Sequence, residues 1–208
     1  SNNQGDFVVV WTSYGTSGDT GLQGNIVAQR YNRLGERQGN EFIVNSYLAG
    51  HQSNPDIAMD AFGNMIVVWA GQGSDDGEGI YARRYDAFGT PQDVQFRVNT
   101  NLSYRQHDPA AAMDATGNAV ITWSSMGQDG DFDGIFAQRI DVYGQLVGAT
   151  EFPVNTTSKG RQDRSDVAMD SNGNFVVIWN SEQDEYGWGI YGQRFNKSGQ
   201  AQGGEFRL

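Results

Sequence analysis

Four stretches of the chain share one arrangement of apolar and polar positions. Phe7-Val-Val-Val-Trp11, Met65-Ile-Val-Val-Trp69, Ala119-Val-Ile-Thr-Trp123 and Phe175-Val-Val-Ile-Trp179 are short runs with little polar character on either face, and their tryptophans lie 58, 54 and 56 residues apart. A second marker follows each run: Ile26-Val-Ala-Gln-Arg30, Ile80-Tyr-Ala-Arg-Arg84, Ile135-Phe-Ala-Gln-Arg139 and Ile190-Tyr-Gly-Gln-Arg194. A third follows in turn: Glu41-Phe-Ile-Val-Asn45, Gln95-Phe-Arg-Val-Asn99, Glu151-Phe-Pro-Val-Asn155 and Glu205-Phe-Arg-Leu208. A fourth occurs three times, as Asp56-Ile-Ala-Met-Asp60, Ala110-Ala-Ala-Met-Asp114 and Asp166-Val-Ala-Met-Asp170. A period of about 55 residues is the mark of a repeat architecture.

Each marker is a β-branched or aromatic run bounded by turn residues, which predicts a strand. No segment keeps helical spacing over three turns. Asp60-Ala-Phe-Gly63-Asn64 and its counterparts at 114–118 and 170–174 join the fourth marker to the first. Asn32 to Gly35, Asp86 to Gly89, Asp141 to Gly144 and Asn196 to Gly199 join the second to the third. An Asp or Asn opens a tight turn by accepting from its own backbone, and Gly takes the left-handed position. These turns predict antiparallel neighbours in the order A (Ile-Ala-Met-Asp), B (Val-Val-Trp), C (Ile-Tyr-Ala-Gln-Arg) and D (Glu-Phe-x-Val-Asn). The doubly apolar B strand requires a sheet covered on both sides, and small residues on strand A suit a crowded axis. The predicted fold is all-β: a β-propeller of four-stranded antiparallel blades, four repeats in this chain. Stacked sandwiches, the rival, need no 55-residue echo. The first repeat starts at its A–B turn and lacks its inner strand. We expect a single domain over 1-208 with repeats at about 1-45, 46-99, 100-155 and 156-208. The finished ring has four blades if the chain closes alone, and eight if it is half of a larger ring.

Composition narrows function rather than fold. The chain has 208 residues with 28 Gly, 4 Pro and no Cys, and its net charge is −11, from 25 acidic and 14 basic residues. Lacking Cys, it has no disulfide framework, thiolate zinc site or thiol nucleophile. An acidic surface repels nucleic acid phosphates, and no apolar run reaches the roughly 18 residues of a membrane span. Neither nucleic acid nor membrane insertion is therefore expected.

The repeated motifs Gly-Asn-Phe-Val-Val-x-Trp, Gln-Arg-Tyr and Glu-Phe-x-Val-Asn resemble the blade repeats of large secreted bacterial surface or adhesin-like proteins, over the whole chain. The resemblance implies a secreted or cell-surface location and an adhesive role, in company with calcium-dependent repeats. The A–B turn also resembles the sialidase Asp-box (Ser/Thr-x-Asp-x-Gly-x-x-Trp/Phe), with two residues rather than one between Asp60 and Gly63.

Residues repeated in every blade have a structural explanation. Arg30, Arg84, Arg139 and Arg194 are expected to reach turn carboxylates or carbonyls within their own blades, and the strand tryptophans to fill the core. Residues that break the repeat are more informative. The long, varied B–C and D–A loops emerge on one face, and function belongs there. The B–C loops are acidic, with Asp19, Asp75, Asp76, Glu78, Glu182, Asp184 and Glu185, whereas His51, Arg105, His107, Lys159, Arg161 and Arg164 mark the D–A side. Asp129-Gly-Asp131-Phe-Asp133-Gly134 offers alternate carboxylates on a glycine bend, a pattern that suits Ca²⁺. Its twelfth position is Ile140 rather than the Glu of an EF-hand loop. Asp129, Asp131 and Asp133 are thus candidate metal ligands, with Ca²⁺ the candidate cofactor. Trp188 and Tyr186, with Phe132, Tyr14, Tyr104 and His107, are candidate ligand-binding residues, because a flat ring flanked by carboxylates and amides stacks on a pyranose.

No nucleophile elbow, His pair or phosphate loop appears. The expected function is a non-catalytic module that binds glycan or an extracellular protein through the B–C/D–A face, with Ca²⁺ assisting. The alternatives are a structural spacer or assembly repeat that pairs with another copy, through its incomplete first blade, or with the rest of a larger propeller, and a glycoside hydrolase built on a pair of acidic loop residues.

Overall fold

The computed structural model describes residues 1–15, 23–73, 78–184 and 187–208. Tyr186, Asp19, Asp75, Asp76 and Glu185, singled out from the sequence, lie outside the described residues.

The described residues form four antiparallel sheets and no helix. The first blade has three strands, β1 (Phe7–Tyr14), β2 (Gly24–Tyr31) and β3 (Phe42–Ile43). The second runs β4 (Gln52–Met59), β5 (Met65–Gly71), β6 (Gly79–Tyr85) and β7 (Phe96–Arg97). The third runs β8 (Gln106–Met113), β9 (Ala119–Met126), β10 (Asp133–Ile140) and β11 (Leu146–Pro153). The fourth runs β12 (Gln162–Met169), β13 (Phe175–Asp184), β14 (Gly187–Phe195) and β15 (Phe206–Arg207). Within each sheet the strands pair in chain order, which is the A-B-C-D meander of a propeller blade. The inner strands β4, β8 and β12 pack on one another in succession and place the axis.

Turn chemistry sets the register. Asp60 Oδ1 accepts from the backbone N–H groups of Phe62 (2.8 Å) and Asn64 (2.9 Å), and its Oδ2 accepts from Asn64 Nδ2 (2.7 Å). Gly63 supplies the positive φ of +95° that the turn requires. Asp114 and Asp170 repeat the arrangement, and Asn2 takes the same place in the first blade. The Asn that ends strand D caps strand C. Asn45, Asn99 and Asn155 accept through Oδ1 from the N–H groups of Ile26 (2.8 Å), Ile80 (2.8 Å) and Ile135 (2.7 Å).

The core lies between blades. Ile66 and Val68 of the second blade meet Ile121, Trp123 and Phe136 of the third. Ala110, Ala112 and Val120 of the third meet Val177 and Trp179 of the fourth. The repeated arginines correct one expectation. Three of the four reach into the following blade: Arg30 donates to the Phe88 carbonyl, Arg84 to that of Val142, and Arg139 to that of Ser198 (2.9 Å), while Arg84 also pairs with Asp93 of its own blade at 3.7 Å. A guanidinium on a long stem spans the gap between sheets, while its own C–D turn is already closed by Asp or Asn.

Candidate functional site

Each inner strand carries a bulge near its start, where the ladder with strand B slips between Ser53 and Asp56, His107 and Ala110, and Asp163 and Asp166. Asn54, Asp108 and Arg164 occupy the bulges with φ of +51°, +51° and +53°. Before each bulge a buried glutamine (Gln52, Gln106 or Gln162) donates to D–A loop carbonyls and holds the strand. Bulges re-aim side chains at sheet rims. Here they carry three different pairs at equivalent positions, Ser53 with Asn54, His107 with Asp108, and Asp163 with Arg164.

His107 is the hub. Its Nδ1 lies 3.1 Å from Asp108 Oδ2 and its Nε2 3.1 Å from Asp133 Oδ1, with the imidazole 13% exposed. Burial opposes its protonation, but the hydrogen bonds to Asp108 and Asp133 outweigh that and raise its pKa above the ordinary 6.5. The hydrogen bond to His107 in turn lowers Asp108, and Asn54 Nδ2, donating from the neighbouring blade, adds to it. The second oxygen of Asp133 accepts from Arg161 Nε (2.6 Å), which also lies 3.5 Å from Asp163. Arg161, Asp163, Arg164, Asn180 and Trp188 line an open pocket beside this network, and Trp188 is half exposed.

On β4, half-buried Asp56 has a raised pKa. Burial is the main cause, and the charge of Asp166 adds to it against the Ala111 N–H, which donates to Asp56 Oδ2 at 2.8 Å. Two carboxyls on adjacent inner strands, Asp56 and Asp108, are thus pushed in opposite directions.

Of the residues expected to bind ligand, Trp188 and His107 meet through Arg161, Asp163 and Asp133, whereas Tyr14, Tyr104 and Phe132 do not join them. Tyr14 stacks on His51 between the first two blades, with ring centres 5.8 Å apart. Tyr104 lies against the Gly127 turn, whose N–H donates to the Phe132 carbonyl, and both side chains are exposed there. Tyr14, Tyr104 and Phe132 are therefore dispersed, because each ring follows its own loop.

The three loop carboxylates expected to bind metal also diverge. Asp133 is taken by His107 and Arg161, Asp131 accepts from the Gly160 N–H (2.9 Å), and Asp129 accepts from the Asp131 N–H and Asn155 Nδ2. Among the described residues no group of three His, Cys, Asp or Glu is placed to hold a metal ion. The sequence reading missed Asp56. Its nearest signal was the change of residue type at the inner-strand bulges.

No protein-family model matches this chain, and no curated protein does. Solved structures match it over nearly its whole length. It is similar to the Hadza microbial sialidase Hz136, with a TM-score of 0.65 at 13% identity, covering 100% of this chain and 45% of that one. It is similar to the endo-arabinase of Bacteroides thetaiotaomicron, with a TM-score of 0.59 at 15% identity, covering 99% and 80%. It is also similar to the α-L-arabinanase of Cellvibrio cellulosa solved with arabinohexaose, with a TM-score of 0.52 at 13% identity, covering 97% and 74%. At these identities the likeness establishes the fold. The chain is a β-propeller. It spans less than half the length of the sialidase. The expectation of a non-catalytic binding module is corrected by these neighbours, which are named as a sialidase, an endo-arabinase and an arabinanase.

Proposed function

We propose that this propeller is a glycoside hydrolase whose reaction centre lies at the inner-strand bulges, with Trp188 as a sugar platform. Hydrolysis of a glycosidic bond uses one protonated and one ionised carboxyl. The observation that carries the reading is that Asp56 is raised and Asp108 lowered on neighbouring strands. Asp56 then gives its proton to the departing glycosidic oxygen. Asp108 takes a proton from the water that attacks the anomeric carbon, and His107 keeps Asp108 ionised. Trp188 stacks on a sugar ring beside Arg161 and Asn180, which hydrogen-bond its hydroxyls. The names of the structural neighbours support this class of reaction, although their identity is too low to transfer a substrate.

The test is release of the aryl group from a panel of chromogenic arabinosides, xylosides and sialosides. Asp56→Asn and Asp108→Asn are each expected to lower the rate by about 10²-fold or more, the scale of a lost general acid or base. Trp188→Ala is expected to raise KM with a smaller effect on kcat. No turnover by the unaltered chain across the panel would sink the reading, as would full activity in both Asn variants.

A further inference from the structure

The chain builds one blade-to-blade interface three times and leaves both halves of a fourth uncovered. The rear face of each B strand shows this first. Val67, Ile121 and Val177 are 0% exposed under the preceding blade, while Val9, at the same position of the first blade, is 43% exposed. Trp69, Trp123 and Trp179 are sealed, yet Trp11 is partly open. The opposite half lies on the front of the fourth blade. Ala58 and Ala112 are buried there by the next blade, and Ile66, Val68 and Val120 with them. Ala168 is exposed and Val176 and Ile178 are only partly covered. With Met169, Phe175 and Arg194, residues Ala168 and Val176 line an open apolar shelf.

The arginine clasp repeats the pattern independently. The stems of Arg30, Arg84 and Arg139 lie over Gly89, Gly144 and Gly199, so closely that a Cβ at those glycines would meet Arg Cδ at 3.0–3.1 Å. A Cβ at Gly35, the corresponding glycine of the first blade, would meet nothing within 4 Å. Arg194 is the fourth such arginine. It is exposed and lies over its own Phe206 ring, with no carbonyl partner among the described residues. The front of the fourth blade therefore carries the plug, and the rear of the first carries its socket.

We propose that these two faces mate between copies of the chain, head to tail. Arg194 of one copy lies over Gly35 of the next and donates to the carbonyls of its C–D turn, while Val176 and Ile178 cover Val9 and Trp11. The partner is a second copy because the socket chemistry is that of this repeat: a glycine turn of open backbone beside a Val-Trp strand. Such a contact is heterologous, so it closes into a ring or propagates, depending on the rotation per copy.

Sedimentation of the purified chain over a wide range of concentration tests the proposal. The weight-average mass is expected to rise from the 22.8 kDa monomer to twofold or more. Arg194→Glu blocks the front face and Val9→Asp the rear, so each variant alone is expected to remain monomeric. Their mixture is expected to stop at the dimer, since one productive pair of faces remains. Unchanged far-ultraviolet circular dichroism controls for folding, and Arg194→Glu alters only an exposed side chain. A monomeric unaltered chain at every concentration would overturn the proposal. Association that persists when both changes are combined in one chain would do the same.

Discussion

A histidine held between two carboxylates ties its protonation to folding. His107 is raised above 6.5 because its hydrogen bonds to Asp108 and Asp133 outweigh the cost of burial. A group raised in the folded state contributes stability that is complete below its unfolded pKa and is lost as pH rises through the folded value. Thermal unfolding followed from mildly acidic to mildly alkaline pH is therefore expected to show the melting temperature falling above about pH 6.5. His107→Gln is expected to flatten that fall, and an unchanged slope in the variant would contradict the assignment. Asp108 has the opposite sign, because its lowered pKa gives stability present above 3.8 and lost as pH falls through the folded value. The proposed chemistry shares these groups. It needs Asp108 ionised and Asp56 protonated, so the rate should form a bell with an acidic optimum whose alkaline limb follows Asp56. His107, Asp133 and Trp188 were legible in the sequence as departures from the repeat. Asp56 was not, because Asp166 matches it in type and only burial between blades separates the two.

At the scale of strands and turns, adjacent blades are latched by the first side chain of the Glu-Phe-x-Val-Asn segment. Glu151 accepts from the N–H groups of Thr100 (2.8 Å) and Asn101 (3.0 Å), from the Thr100 hydroxyl, and from Gln128 Nε2 (2.9 Å). Gln95 takes the same place against Ser46 and Tyr47, and Glu205 against Thr156. Burial pushes the Glu151 carboxyl up, but hydrogen bonds led by Thr100 prevail and hold it below 4.5. Glu151→Ala strands buried donors and is expected to cost about 2–3 kcal/mol, measured by denaturant unfolding. Glu151→Gln, which keeps an acceptor as Gln95 does, is expected to cost less. The Glu-Phe-x-Val-Asn motif announced a strand because its residue types suit one. It did not announce a latch, since the partners lie about 50 residues upstream in the preceding repeat. The reach of Arg30, Arg84 and Arg139 into the next blade was hidden for the same reason: a repeat in sequence does not say whether a contact closes within one unit or between two. The surroundings of the loop carboxylates were hidden in the same way. Carboxylate spacing was visible, but the Arg161 cation arrives from a different loop.

Across the whole molecule, the same residue type has a different worth according to how many blades cover it. Val67 is sealed between the first and second blades, whereas Val9 has a blade on only one side of its sheet. Val67→Ala is expected to cost about 2 kcal/mol from lost burial and the cavity left behind. Val9→Ala is expected to cost less than about 1 kcal/mol at low protein concentration. Stability in such an array is a sum of unit and nearest-neighbour terms, so the end blades are the weakest members. The first blade has both an uncovered rear face and only three strands. Hydrogen exchange should accordingly show the slowest amides in β5 and β9, covered on both faces, and faster exchange in β1 and β2. Head-to-tail mating adds a condition to this order. Raising the concentration should slow exchange in β1 and in the front-facing part of β13, leave β5 and β9 unchanged, and raise the melting temperature by mass action. Arg194→Glu removes that dependence on concentration without altering the order measured at dilution. Uniform slowing across all four blades would instead mean that association acts on the fold as a whole rather than through its two open faces.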